Sequence, residues 1–163
     1  MSIEQKINVN THYTRSVNLK RDVGSEVIIS SYIPTSRALK TLGLVSDALK
    51  EDESPRAWSL IGPYGSGKSS FASFLANLLE KRNSVTHNAA NKVLSLASKQ
   101  LSNQYKSLSG EGLGCCVVLL TGSPDSLSKR LINALHEKAQ QVWISRRGRK
   151  PEILDILSHY DKQ

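Results

Sequence analysis

Apolar residues recur along this chain with two different periods, and the switches between them set the expected elements. Val27-Ile28-Ile29-Ser30-Ser31-Tyr32-Ile33 is a short β-rich run stopped by Pro34, which predicts a strand. Thr35 or Ser36 then caps a helix with Ala38, Leu39, Leu42, Val45 and Leu49 on one face, weakened slightly by Gly43. Glu51-Asp52-Glu53-Ser54-Pro55 reads as a solvated connection, and Ala57-Trp58-Ser59-Leu60-Ile61 as a short apolar run ending at a glycine-rich turn. The helical period resumes at Phe71, Phe74, Leu75, Leu78 and Leu79 and is interrupted at Asn83-Ser84 and Asn88. A polar amphipathic helix follows, carrying Val93, Leu94, Ala97, Leu101, Tyr105 and Leu108.

Beyond the glycines at 110, 112 and 114, Cys115-Cys116-Val117-Val118-Leu119-Leu120 is continuously apolar, as a strand buried on both faces of a parallel sheet would be. Ser123-Pro124-Asp125 supplies a cap, a first-turn proline and a first-turn acid to a helix with Leu127, Leu131, Leu135, Ala139 and Val142. Pro151 opens a last helix with Ile153, Leu154, Leu157 and Tyr160. Strands alternating with helices predict an α/β fold.

Composition narrows the class. The chain has 163 residues, 39% hydrophobic and 22% charged, enough for one domain with a buried core. No apolar run approaches the roughly 18 residues of a membrane span. The start, Met1 to Gln5, lacks the basic-then-apolar order of a secretory signal, and two adjacent cysteines make no disulfide framework. A cytoplasmic location is the expectation. Residues 1–24 read as an N-terminal extension and residues 25–163 as the domain. The net charge is +8, and 14 of the 22 basic side chains lie after residue 60. Arg146, Arg147, Arg149 and Lys150 form the densest cluster, candidates for nucleic-acid phosphates; the competing reading is a solvated loop.

The strongest chemical signal is Gly62-Pro63-Tyr64-Gly65-Ser66-Gly67-Lys68-Ser69, which matches G-x-x-x-x-G-K-[ST] without departure. Glycines allow backbone N–H groups to turn inward around a phosphate chain, and the helix that follows points its positive end at the same place. Lys68 would reach the β- and γ-phosphates, the Ser69 hydroxyl would ligate Mg²⁺, and Ser70 completes the loop exit.

At these residues the chain resembles the P-loop NTPase superfamily, in its AAA-like or STAND-like branch. Together with Val117 to Pro124 they resemble the N-terminal part of large bacterial ATP-binding proteins of the phage-defence type. The resemblance implies a three-layer αβα fold with a mainly parallel sheet, incomplete here, and ATP and Mg²⁺ as ligands. It also implies that Tyr32 and Ile33 sit beside the adenine; the alternative is that both are ordinary core residues. The expected function is that of an Mg²⁺-dependent ATP-binding module of a larger ATPase acting on or near nucleic acid in anti-phage defence, assembled with other subunits. A non-hydrolysing assembly module and a small P-loop kinase are the alternatives. No carboxylate ends the Cys115–Leu120 run, so no acid stands where such an ATPase needs one. Asp125 reads as a capping residue, and Asp155 sits in a helical pattern.

Overall fold

The computed structural model describes residues 17–50, 56–80, 84–108, 114–144 and 148–161, and every regular element among them is an α-helix. In chain order these are α1 (Leu19–Asp22), α2 (Glu26–Ser30), α3 (Ser36–Lys50), α4 (Lys68–Leu79), α5 (Val85–Ala97), α6 (Lys99–Leu108), α7 (Leu127–Ile144) and α8 (Glu152–Asp161). Met1–Gly114 and Cys115–Gln163 form two separate compact units.

The expected α/β architecture is therefore wrong: no strand and no sheet occur among the described residues. The resemblance to the P-loop NTPase superfamily, its AAA-like or STAND-like branch and the phage-defence proteins included, fails on the same finding. A strand exists only where a neighbour completes its hydrogen-bond ladder. Ala57–Ile61 belongs to the first unit and Cys115–Leu120 to the second, and both are without regular structure. Trp58, Leu60 and Ile61 are exposed, Ile61 by 92%, and both cysteines are exposed as well. The Val27–Ile33 run fails differently. Ser25 caps it, its hydroxyl accepting from the Ile28 N–H, and a helical turn buries Ile28 and Ile29 while Val27 stays exposed.

The first unit owes its core to four amphipathic helices. Leu42 of α3, Phe74 and Leu78 of α4, Leu94 of α5 and Tyr105 of α6 are fully buried together, with Ile29 of α2 beside them. The single helix expected over Val93–Leu108 is two helices. Ser98 takes an extended conformation, its N–H closes α5 on Leu94 O, and its hydroxyl accepts from the Leu101 N–H. The break lets α6 fold back on α5 and pack against α3. In the second unit α7 packs on α8, α7 buries no residue, and Leu154 of α8 is buried.

Candidate phosphate-binding cavity

Helix α4 starts at Lys68, so the loop delivers the chain to a helix N-terminus as the motif demands. Gly65 and Gly67 have φ of 79° and 80°, the left-handed region that residues with a Cβ avoid. Gly67 is the N-cap and has no side chain to occupy the first N–H groups of α4, which leaves that positive end open to an anion. A Cβ on Gly62 would lie 2.9 Å from Ser66 Oγ, so a larger residue there would require the Ser66 hydroxyl to move.

The Lys68 ammonium is folded over this loop. It donates to Gly62 O at 2.9 Å, Pro63 O at 2.8 Å and Ser66 Oγ at 3.3 Å. Three donors on three loop oxygens satisfy the ammonium completely. The Ser66 N–H, in turn, donates to Pro63 O at 3.3 Å.

The loop forms one wall of a cavity of about 630 Å³, a size typical of small-molecule sites. Thr35, Arg37, Ala38 and Thr41 of the α3 cap and first turns line it as well, with Ser31, Tyr32 and Ile33 just before them in sequence. Phe71 of α4 and Ser59 to Ile61 complete the described lining. Most of the α3-side hydroxyls are engaged: Thr35 Oγ1 accepts from the Ala38 N–H, Thr41 Oγ1 donates to Arg37 O, and Ser31 Oγ donates to Val27 O. Among the described residues of the lining, Arg37 and Lys68 are charged and none is a carboxylate.

Of the expected nucleotide-binding residues, Gly62, Pro63, Ser66, Gly67, Lys68, Ser70, Tyr32 and Ile33 line this one cavity. Tyr64, Gly65 and Ser69 are exposed and stand outside the lining. Tyr32 stacks on Phe74 at 4.5 Å between ring centroids, tilted by 31°, so its ring joins cavity and core, whereas Ile33 is exposed. The pattern of residues offered no sign of Arg37, Thr41 or Ser59. One physical signal did exist for Arg37: a cation in the first turn of a helix opposes the helix dipole.

The other candidates disperse. Arg146 and Arg147 lie outside the described residues, and Arg149 and Lys150 are exposed, Lys150 being ion-paired with Asp155. His87 is buried, its Nδ1 against Asn77 O at 3.2 Å and its Nε2 accepting from Asn91 Nδ2 at 2.8 Å, which fixes the proton on Nδ1. Among the described residues no cluster of His, Cys, Asp or Glu could hold a metal ion. Nor is any described helix long and apolar enough to cross a membrane. No protein-family model matches the chain, and neither a curated protein nor a solved structure does.

Proposed function

We propose that this chain binds a nucleoside triphosphate, ATP carried with Mg²⁺, as a binding module rather than a hydrolase. One observation supports this above the rest: the phosphate-loop residues and the Tyr32–Ile33 segment, about thirty positions apart in sequence, line the same cavity. The loop side offers what a phosphate chain needs: a cation, an uncapped helix end and glycines whose missing Cβ atoms leave room for close approach. The same lining includes apolar surface at Tyr32, Ile33 and Ala38, suited to a base. Lys68 then exchanges its three neutral loop oxygens for anionic phosphate oxygens, so that each bond gains a charged acceptor. Mg²⁺ would ride on the phosphates, with water completing its shell. The Ser70 hydroxyl lines the cavity and could serve as the ion's protein ligand, whereas Ser69, the ligand expected from the motif, stands outside the lining. Hydrolysis needs a group that orients the attacking water, and no described lining residue is a carboxylate that could do so.

Calorimetric titration of the chain with ATP, with and without Mg²⁺, tests the reading. Binding should be measurable and Mg²⁺-dependent, and Lys68→Ala should weaken it by at least about tenfold, the loss of a charged hydrogen-bond donor. Equal affinity in a Lys68→Ala variant that keeps its helical circular dichroism would end the assignment.

A further inference from the structure

Helix α3 begins with a residue that its own electrostatics disfavour. Thr35 caps the helix, and Arg37 is the charged residue of the first turn, which contains no acid. The positive pole of a helix repels a cation there, so Arg37 destabilises α3 in the free protein. Ordinary compensation is missing: among the described residues its guanidinium has no hydrogen bond and no ion pair. Arg37 nonetheless lines the cavity that Lys68 lines, and no described residue of that lining is a carboxylate. Two cations and two helix N-termini give the described lining a positive character that an anion would offset.

We propose that Arg37 is a specificity-determining residue of this cavity and that its guanidinium contacts the phosphate chain of the bound nucleotide, together with Lys68. The proposal rests on the nucleotide reading above. It makes the site selective for polyphosphates over nucleosides, because a neutral ligand leaves Arg37 as unfavourable as before, whereas a phosphate oxygen converts it into a partner. The planar fork also matches two oxygens of one phosphate, which an ammonium cannot do.

Titration of the whole chain with ATP and with adenosine, in parallel, separates the possibilities. Arg37→Ala should weaken ATP by roughly ten- to hundredfold, the range for a lost charge-assisted contact, and leave adenosine within about twofold. Arg37→Lys should restore part of the loss. Lys40→Ala removes an exposed cation from the same helix outside the cavity, and it should leave ATP affinity unchanged. Arg37 is exposed, so its replacement leaves the packed core intact. Wild-type binding of ATP with unchanged affinity in Arg37→Ala would overturn the role of Arg37 and leave the nucleotide reading standing. An equal loss for adenosine would place the guanidinium on the base and overturn it too. Failure of the wild type to bind ATP would overturn both.

Discussion

The hydroxyl of Tyr105 donates to the carbonyl of Leu42 at 2.9 Å, tying α6 to α3 across 63 residues of sequence. Both residues are fully buried. Burial, and then the negative charge of Asp47, hold the phenol protonated well above the usual tyrosine range. In the unfolded chain the same phenol ionises near pH 10. The contribution to stability is therefore complete below about pH 10 and declines as pH rises further, because the unfolded state sheds its proton first. Tyr105→Phe should cost about 1 kcal/mol at neutral pH, the value of one buried hydrogen bond. Urea midpoints measured from pH 7 to pH 11 should show the gap between wild type and variant narrowing above pH 10; a constant gap would show that the phenol ionises freely in the fold.

Asn77 holds a second tie. Its amide donates to Val23 O and to Ser73 O, each at 2.8 Å, fastening the turn after α1 to α4. Asn77→Ala should cost roughly 1–3 kcal/mol, since Val23 loses its donor. Asn77→Asp should be worse than alanine, because a carboxylate there faces two carbonyl oxygens with nothing to donate. Chemical denaturation of the three proteins ranks them directly.

How far the sequence could be read depended on whether a signal was local. The Phe71, Phe74 and Leu78 stripe needs only its own helix to declare itself, and α4 buries all three. Ala57–Ile61 and Cys115–Leu120 are equally apolar, but a strand is a property of two segments, and a one-chain pattern does not show whether the second is present. Val27–Ile33 misled because β-branched composition outweighed the Ser25 cap, which needs just one hydroxyl. The interruption at Ser98 escaped notice because Leu94, Leu101 and Tyr105 continue the apolar spacing across it. Within the cavity the glycines and Lys68 were legible from their mutual spacing. Arg37 was not, since its place in the same lining as the loop arises from packing between α3 and the rest of the first unit.

Gly67 is a backbone requirement rather than a contact. With φ at 80° and nothing within 4 Å of its absent Cβ, alanine fits sterically there but must adopt a left-handed conformation. The strain is about 1–2 kcal/mol, and it falls on the residue that aims the first N–H groups of α4. Gly67→Ala should weaken Mg²⁺–ATP binding by about tenfold, and Gly67→Asn, which tolerates that region better, by less. Calorimetric titration of the two variants beside wild type reads the difference.

Bound ATP should survive. With no carboxylate among the described residues of the lining, phosphate release by the purified chain should stay at background over hours at 25 °C. Steady release that disappears in Lys68→Ala would mean that an acidic residue reaches the nucleotide after all.

The make-up of the described lining also bears on which partner carries the proton traffic. None of its described residues is a carboxylate or an imidazole, the groups that ordinarily change charge between pH 5 and pH 8. A phosphate ester does change there, losing its second proton near pH 6. Affinity for a terminal phosphate should then climb through that pH as the ligand gains charge and level off above it. Nucleoside affinity should stay flat over the same interval. The cavity would thus sense acidity through what it holds, and the proton count on binding would be a signature of the ligand's ionisation.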